Sequence, residues 1–403
     1  MEVMPTEPRM ASRKIVGLAA CASYERDVVI AALRKSLEPL GGMQAFVAPG
    51  ERIAIKPNLL LAAHPDSAVT THPAVVEAVA ALVVECGAHP VVVESPGAGI
   101  PYSMATLRRV YRRTGMLELS ERTGLELSFD TSSRAVTHPE GRVTNRVDVL
   151  VPILEADGVI SLPKLKTHYF MTYTGAVKNL FGVVPGLAKP GYHARLADAR
   201  RFADLLLDIS LLVAPRLSVM DAVMAMEGDG PGLGGSPRMI GALLAGADPV
   251  ALDLAACRLV GLPPERVPTL TAARDRGMWS GRFDDVHLIG DALESLQVSD
   301  FRIPDRSADE VGLGRAAWLG GVLTPLMRDL FSARPRPRAG RCTGCETCRR
   351  ACPARAIEMR DRLAVVDDGS CIRCYCCHEL CPEAAVDLEF GRAARLVRTL
   401  GLR

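Results

Sequence analysis

Eight of the twelve cysteines in the chain lie near its C-terminus in two copies of one spacing. The copies read Cys342-x2-Cys345-x2-Cys348-x3-Cys352-Pro353 and Cys371-x2-Cys374-x2-Cys377-x3-Cys381-Pro382. Gaps of two residues let a tight loop place three thiolates around one face of a 4Fe–4S cubane. The proline after the fourth cysteine prevents a regular helix from continuing. The spacing therefore predicts two 4Fe–4S clusters, and with them the transfer of single electrons.

The cysteine pattern resembles that of bacterial two-cluster ferredoxins, in which the fourth cysteine of each run binds the other cluster. This resemblance assigns Cys342, Cys345, Cys348 and Cys381 to one cluster and Cys371, Cys374, Cys377 and Cys352 to the second. Corresponding cysteines are 29 residues apart (371 minus 342), which indicates an internal duplication. Structural zinc usually takes two ligand pairs with a long spacer, and disulfides need an oxidising compartment, so the spacing favours iron–sulfur over both.

Cys376 is a ninth cysteine inside the second copy. If it replaced Cys377 as a ligand, the three-residue spacing to Cys381 would be lost. We therefore expect Cys376 to be a thiol packed beside the cluster.

Composition limits the classes of function open to the chain. The formal net charge of +2 and the aromatic content of 4% give no case for nucleic-acid binding. No run of 18 uncharged apolar residues occurs, so no transmembrane segment is predicted. The first residues lack the basic and apolar regions of a secretory signal. Together with oxygen-sensitive clusters, this predicts a cytoplasmic protein.

A second group of candidate residues follows predicted strands of the N-terminal three quarters of the chain. Ligands of open α/β sheets bind beyond the carboxyl ends of the strands. Cations and amides gathered there would suit a small anionic ligand, with a lysine or histidine free to donate a proton. The alternative is that these cations are ordinary charged residues of solvent-exposed loops and bind no ligand. The candidates for catalysis are Lys164, Lys166, His168, Lys178 and His193, and those for substrate binding are Lys56, Asn58 and Asn179.

A third candidate region runs from Met220 to Gly235. Six of the eight residues from Gly228 to Gly235 are glycine or proline, which predicts a loop whose backbone could approach a ligand closely. Carboxylates in this region could accept a proton or bind a divalent ion, and a merely flexible turn is the alternative. These additional substrate-binding candidates are Asp221, Glu227 and Asp229. Ser95 to Gly99 is a weaker candidate for a phosphate-binding turn.

Apolar strands alternate with helical patterns, which predicts an α/β body with a largely parallel sheet and flanking helices. A small α+β ferredoxin-like two-cluster domain follows at the C-terminus. The predicted strands are Ile15–Ala20, Arg52–Lys56, Val91–Glu94, Gly158–Leu162, Leu217–Met220, Met239–Ala245 and Val286–Ile289, and the helices are Glu25–Leu37, Pro73–Glu85, Ser103–Thr114 and Pro249–Val260. The predicted division is an N-terminal extension (1–13), the body (14–310), a helix and basic proline-rich linker (311–340), the two-cluster domain (341–390) and a basic tail (391–403).

The body resembles the family known as domain of unknown function 362, whose members often carry a C-terminal ferredoxin module. The resemblance covers roughly residues 14 to 295 and implies the fold and the site, but no substrate. Its motifs are Lys56 to Asn58, Thr71 to Pro73, Asp157 to Ile160, Pro163 to His168, Gly175 to Gly182, His193, Asp221, Glu227 to Pro231 and Asp248 to Asp253.

Three functions are compatible with these observations. In the first, an iron–sulfur oxidoreductase passes electrons to a small anionic substrate or cofactor. Lys164, Lys166 and Lys178 would neutralise its charge, and His168 or His193 would supply a proton. In the second, a non-enzymatic electron carrier or accessory subunit docks on a larger redox complex through the arginines of its linker and tail. In the third, the clusters only sense redox state for a ligand-binding body. The first two require an electron donor or acceptor protein as partner.

Overall fold

The computed structural model describes residues 14–196, 198–304 and 332–390. The predicted N-terminal extension (1–13), the amphipathic stretch Val311 to Phe331 and the basic tail (391–403) lie outside the described residues. Every helix within those three ranges is too short or too polar to cross a bilayer.

The described residues contain sixteen strands and thirteen α-helices. The strands are β1 (Ile15–Ala20), β2 (Arg52–Pro57), β3 (His89–Val92), β4 (Glu126–Leu127), β5 (Ser133–Thr137), β6 (Arg146–Leu150), β7 (Gly158–Leu162), β8 (Lys164–His168), β9 (Thr172–Thr174), β10 (Leu217–Gly228), β11 (Gly235–Gly246), β12 (His287–Gly290), β13 (Arg334–Pro337), β14 (Ile357–Arg360), β15 (Leu363–Val366) and β16 (Val386–Glu389). The helices are α1 (Arg26–Leu37), α2 (Pro73–Glu85), α3 (Met104–Arg113), α4 (Met116–Thr123), α5 (Val151–Leu154), α6 (Ala176–Asn179), α7 (Lys189–Arg195), α8 (Ala199–Val213), α9 (Pro249–Leu259), α10 (Pro268–Asp275), α11 (Leu293–Leu296), α12 (Thr347–Ala351) and α13 (Cys376–Glu379).

A ten-stranded, largely parallel sheet forms the centre of the body, as the sequence predicted. Its main path runs β12-β1-β11-β10-β7-β2-β3-β4, and β8 and β9 extend from β10. In the main path only β11 is antiparallel to its neighbours. Parallel order brings the carboxyl ends of β2, β3, β7 and β10 to one side of the sheet. The loops that follow these strands can therefore meet.

The sheet is covered on both faces by helices. Along β2, Ile53 and Ile55 pack into the layer that contains α1 and α2, whereas Ala54 packs into the layer of α8, α9 and α10. Alternate residues of one strand thus enter opposite cores, which explains why the strands are apolar throughout rather than alternating with polar residues.

The first strand of the long β10–β11 hairpin extends beyond the predicted strand, which ended at Met220. Strand β10 continues to Gly228, so Asp221 and Glu227 lie within it, and only residues 229–234 form the connection. The register shifts between Ala222 and Met224, which marks a bulge. Asp221 and the glycine-rich end give residues 221–228 the composition of a loop. Their backbone nevertheless pairs as part of β10.

The ferredoxin-like module is built from two copies of a strand–helix–strand unit. The first copy consists of β13, α12 and β14, and the second of β15, α13 and β16. Strand β13 pairs with β16 and β14 pairs with β15, so each hairpin contains one strand from each copy. The same left-handed backbone positions recur 29 residues apart in both copies: Gly344 and Arg373, Glu346 and Tyr375, Arg355 and Ala384. These turns wrap each loop of three cysteines.

Residues 334–337, which the sequence predicted as part of a linker, form the first strand of this module. Their prolines lack N–H donors, which an edge strand tolerates. The arginines are held within the module: Arg334 and Arg336 contact Asp368, at 3.3 and 2.5 Å, and Arg338 contacts Asp387 and Glu389 at 2.7 Å. Basic residues next to prolines resemble a stiff linker, and their acidic partners lie too far along the chain for a local pattern to reveal.

Candidate functional site

Each predicted set of four cysteines surrounds its own small cavity. The first cavity is lined by Cys342, Cys345, Cys348 and Cys381. The second is lined by Cys352, Cys371, Cys374 and Cys377. Equivalent backbone N–H groups donate to the crossing sulfurs, from Ala356 to Cys352 Sγ at 3.2 Å and from Ala385 to Cys381 Sγ at 3.1 Å.

The lining of each cavity supplies the donors that a cubane needs. Sulfur ligands, apolar walls and N–H groups aimed at sulfur are what iron–sulfur clusters require. Within the described residues, no three His, Cys, Asp or Glu side chains are placed to share a single metal ion. A cubane takes one cysteine per iron, so its ligands surround a volume rather than a point. Cys376 does not line the second cavity and packs instead with Cys374 and Ala98.

Lysine is rare in this chain and concentrated in one place. Of 48 lysines and arginines only seven are lysine, and two of these, Lys14 and Lys35, are exposed. The others gather at the carboxyl ends of the parallel strands: Lys56, Lys164, Lys166, Lys178 and Lys189. Arginine carries the other basic charges. Lysine has a compact ammonium group on a flexible side chain, and its pKa shifts readily on burial. In this chain lysine is found mainly where the parallel strands end.

Lys56 is part of a closed hydrogen-bond network. Its ammonium donates to Glu94 at 2.9 Å and to the Asn179 amide oxygen at 3.3 Å. The same oxygen of Asn179 accepts from Asn58, and the Asn179 amide nitrogen donates to Ser161 at 2.9 Å. Burial lowers the pKa of Lys56, and Glu94 opposes this shift. The predicted binding residues Asn58 and Asn179 therefore lie together and are fixed by this pair.

Lys164 forms a second buried ion pair on β8. Its ammonium lies 2.8 Å from Asp221, and neither side chain is exposed. Tyr24 completes the group because its hydroxyl donates to Asp221 at 2.8 Å and accepts from Lys164 at 2.9 Å. The ring of His72 stacks on Tyr24 with centroids 3.6 Å apart. Burial lowers the pKa of His72 to about 4, so this imidazole is neutral at neutral pH.

Three lysines of the group have no carboxylate within ion-pair distance among the described residues. Lys166 donates to the side-chain oxygen of Asn58 at 2.8 Å and to the carbonyl of Val69 at 2.6 Å. Lys189 donates to the carbonyls of Ser95 and Pro96 at 2.8 and 2.5 Å. For the Lys178 ammonium, no hydrogen-bond partner exists within the described part of the chain, and its side chain is only partly buried. These three ammonium groups are solvated by neutral groups or left open to a ligand.

The environment lowers the pKa of each of these three amines. Burial lowers the pKa of Lys166 well below its ordinary value, and the positive charge of Lys178 adds to the effect. Burial also lowers the pKa of Lys178, against the opposing attraction of Glu379. For Lys189, burial brings the pKa to about 7. The site therefore contains amines that exchange protons closer to neutral pH than free lysine does.

His168 and His193 complete the site together with a residue of the ferredoxin-like module. The Nδ1 atom of His168 accepts from the backbone N–H groups of Phe170 and Met171, so the ring proton is on Nε2. This Nε2 lies 3.5 Å from the carboxylate of Glu379, which is buried at the end of α13. The ring of His193 stacks on Phe202 at 4.4 Å, and its Nδ1 is buried without a partner in the described structure.

Both imidazoles are neutral at neutral pH when no ligand is bound. Burial, assisted by Lys178, lowers the pKa of His168 to about 3. Burial lowers the pKa of His193 to about 4, with Glu379 opposing and Lys178 assisting. For Glu379, burial favours the neutral acid, but His168 and Lys178 outweigh it and hold the pKa well below its usual range. The helix that carries Cys377 thus contributes a carboxylate to the cationic site.

Asp253 positions the short helix that carries Lys178 and Asn179. Its carboxylate accepts from the N–H groups of Ala176 at 2.6 Å and Val177 at 3.1 Å, the first two residues of α6. These N–H groups have no partner inside a helix, so a carboxylate there fixes the helix start.

Two of the predicted substrate-binding residues lie outside this group. Glu227 is paired with Arg302, whose side chain lies 2.7 Å away. The side chain of Asp229 is exposed, although its backbone carbonyl lies 3.0 Å from Nε2 of His378 on α13. All other predicted body residues are brought together at the strand ends.

Several residues of the site were not anticipated from the sequence. Glu94 lies two residues beyond the end of β3, so the rule that ligands gather at strand ends could have identified it. Glu379 lies two residues beyond Cys377, and the sequence contains no signal that it faces the body. Tyr24 lies in the loop after β1 and Asp253 lies in α9, and the sequence analysis selected neither as a site residue.

Comparisons with known proteins agree with this architecture. The profile of a domain of unknown function (DUF362) matches residues 53–258, and that of a 4Fe-4S dicluster domain matches residues 335–382. A thylakoid-associated protein of Synechocystis sp. is 40% identical over 266 residues, which are 66% of this chain and 80% of that protein.

Two solved structures are more distant. The lactate racemase apoprotein of Thermoanaerobacterium thermosaccharolyticum has a TM-score of 0.37 and 12% identity, over 61% of this chain and 56% of that one. A protein of Thermotoga maritima has a TM-score of 0.36 and 12% identity, over 59% of each chain. With scores this low, neither bears on function. Because the family profile covers more than half of its residues, the chain belongs to the DUF362 family and carries a C-terminal 4Fe-4S ferredoxin-type domain.

Proposed function

We propose that the protein is an iron–sulfur oxidoreductase that reduces or oxidises a small anion held by the strand-end lysines. Two 4Fe–4S clusters, bound by the two cysteine sets described above, would supply single electrons beside this site. The observation that carries the proposal is the contact between His168 and Glu379, which makes a cluster-binding helix one wall of the cationic site.

The balance of charge in the site supports an anionic ligand. Five lysines are opposed by three carboxylates, Glu94, Asp221 and Glu379, so full protonation leaves two positive charges without a counterion. Uncompensated buried charge is costly, and proteins avoid it by pairing the charge or by shifting its pKa. A ligand with one or two negative charges, such as a carboxylate, dicarboxylate or phosphate compound, would balance the site.

Individual residues have distinct roles in this proposal. Lys166 and Lys178 bind the anion, because neither is neutralised by a carboxylate in direct contact. Asn58 and Asn179 orient it, since the Lys56–Glu94 pair holds both amides in place. Lys164 and Asp221 fix the strand that carries Lys166 and are structural.

Proton donation falls to Lys178 rather than to a histidine. In the ligand-free site His168 and His193 carry no imidazolium proton at neutral pH, because their pKa values are about 3 and 4. The ammonium of Lys178 has a lowered pKa and is open to a ligand, which suits a general acid. The Nε2–H of His168 then serves as a hydrogen-bond donor to the anion.

The decisive experiment starts from anaerobically purified protein. About eight irons and eight sulfides per chain are expected, together with a small anion released on denaturation and identified by mass spectrometry. An anion that accepts electrons should reoxidise the reduced clusters, and an anion that donates electrons should reduce the oxidised clusters. Iron without any bound anion would favour the alternative of a non-enzymatic electron carrier, and zinc in place of iron would exclude both.

Substitution separates the two alternatives. Lys178→Met should weaken the affinity for the anion about 10- to 100-fold, because one charged hydrogen bond contributes about 1.5–3 kcal/mol. The iron content should be unchanged. Lys35→Met, at an exposed lysine outside the site, is the matched control and should leave affinity unchanged. Equal affinities of wild type and Lys178→Met would contradict the proposal.

A cytoplasmic location belongs to the same proposal, because it rests on the oxygen sensitivity of the clusters. The Synechocystis relative is described as thylakoid-associated. Fractionation of cells expressing the protein, with immunodetection in the membrane and supernatant fractions, tests this location.

A further inference from the structure

We propose that Arg349, Arg350 and Arg362 form the docking surface for an acidic one-electron carrier protein, next to the exposed ligand of the first cluster. We call these three residues the arginine edge. The inference rests on the proposed electron-transfer function and adds the partner and its place of contact.

The two copies of the module differ in their surroundings although their backbones match. Cys345 is exposed, whereas its equivalent 29 residues later, Cys374, is buried against Ala98 of the body. Position 350 holds an exposed arginine, and the equivalent position 379 holds the buried glutamate that reaches His168. One end of the module therefore faces the candidate site and the other faces solvent. Electron transfer to a partner needs a ligand near the surface, and among the eight cysteines Cys345 of the first set is the most exposed.

Charge is divided in the same way between the copies. Residues 334–362 contain nine arginines and three carboxylates, whereas residues 363–390 contain one arginine and six carboxylates. Much of this charge cancels inside the module, because Arg334, Arg336, Arg338 and Arg341 bind Asp368, Asp387 and Glu389. Of the arginines that remain, Arg349, Arg350 and Arg362 contact the loop of Cys342 to Cys348.

The contacts of the arginine edge fix it to that loop without neutralising it. Arg350 donates to the carbonyl of Cys345 at 3.0 Å, and Arg362 donates to the carbonyl of Thr343 at 3.2 Å. Neither has a carboxylate partner within the described residues. Arg349 alone is paired, with Glu346 at 3.1 Å. Two exposed guanidinium groups thus flank the exposed cluster ligand and attract negative charge towards it.

An acidic protein fits this surface better than an anionic membrane does. Peripheral membrane binding combines basic charge with apolar side chains that enter the lipid. The exposed large apolar side chains of the described structure all lie on the body and none on the module: Val84, Met104, Leu187, Leu211, Met239 and Ile289. The edge offers charge and access to a redox centre, which is what a transient electron-transfer contact uses.

The test is the rate at which the oxidised holoprotein takes one electron from a reduced acidic carrier. A reduced plant-type ferredoxin of acidic surface is mixed with the protein anaerobically, and cluster absorbance is followed by stopped flow. Each encounter oxidises one ferredoxin and reduces one cluster by a single electron. The second-order rate constant should fall as ionic strength rises from about 20 mM to about 300 mM.

Charge reversal locates the contact. Arg350→Glu with Arg362→Glu should lower that rate constant about ten-fold or more, since electrostatic steering contributes factors of 10 to 1,000. Arg109→Glu with Arg112→Glu changes the net charge equally on an exposed helix of the body and should have little effect. Reduction by dithionite, a small reductant, should be the same in all variants and confirms that the clusters are intact.

The outcomes distinguish this inference from the function on which it rests. A wild-type rate in the Arg350 and Arg362 double variant, or an equal loss in the control pair, would overturn the docking surface. So would binding to anionic phospholipid vesicles that the double variant abolishes, because the edge would then be a membrane contact. Failure of dithionite to reduce the wild-type protein would instead refute the electron-transfer function itself.

Discussion

Two lysines of the site should differ in how much stability is lost when each is replaced by methionine. Lys164 is fully buried and lies 2.8 Å from the buried carboxylate of Asp221. Replacing it with methionine keeps the volume but leaves Asp221 without its cation. Removing one partner of a buried ion pair costs about 3–5 kcal/mol. At roughly 2–4 °C per kcal/mol for a domain of this size, we expect Lys164→Met to lower Tm by about 6–20 °C.

Lys178→Met should behave differently, because no carboxylate lies within ion-pair distance of this lysine among the described residues. Its removal leaves no orphaned partner and removes an uncompensated cation from a partly buried site. We expect a change in stability of less than about 1 kcal/mol, of either sign. A residue that binds ligand at the expense of stability should show this signature.

The assay is anaerobic differential scanning calorimetry of both variants and the wild type, after iron content has been matched. The transition of the body is followed without added anion, so that ligand binding does not contribute. If Lys178→Met lowered Tm as much as Lys164→Met, Lys178 would be a structural partner of Glu379. The reasoning that assigns it to a ligand would then be wrong.

Three further predictions follow from other contacts. A Cβ at position 232 would lie 2.1 Å from the carbonyl of Glu379, so Gly232→Ala should loosen the module and speed its hydrogen exchange, whereas Gly191→Ala, with open space around it, should not. The pKa of Lys189 falls from 10.5 to about 7 on folding, so between these values the unfolded chain binds one more proton than the folded chain and the free energy of unfolding should rise with pH. Lys189→Met should remove about 2 kcal/mol of this rise between about pH 7 and 9. The midpoints of guanidinium unfolding curves measure it. Cys377→Ala should lower the iron content from about eight to about four per chain, whereas Cys376→Ala should leave it unchanged.

Much of the fold was predictable because local patterns decide it. Strand β1, helix α2 and strand β7 have the bounds that hydrophobic periodicity predicted. The hairpin of β10 and β11 was missed in part, because Asp221 and the glycine-rich end resemble a loop. Burial of Asp221 against Lys164 removes the cost that makes a carboxylate unusual inside a strand. Hydrophobic periodicity within one segment cannot show that a lysine from another strand neutralises its carboxylate.

The site was predictable in its location but not in its pairings. Loops after parallel strands must meet at one edge of the sheet, so the lysines and histidines could be grouped from the sequence. Which lysine would be neutralised depends on long-range packing, as with Glu94 beside Lys56. The contact of Glu379 with His168 depends on how the module docks, which no local spacing encodes.

The position of Glu379 also has a consequence for maturation. Helix α13 begins at Cys376 and ends at Glu379, so one short segment carries both Cys377, a proposed ligand of the second cluster, and the carboxylate that faces the cationic site. Before iron and sulfide are inserted, no metal joins the thiols of this segment, so we expect Glu379 to be less firmly placed. Anion binding would then depend on cofactor insertion. A chain without its clusters would have an incomplete binding site and would not retain its anion.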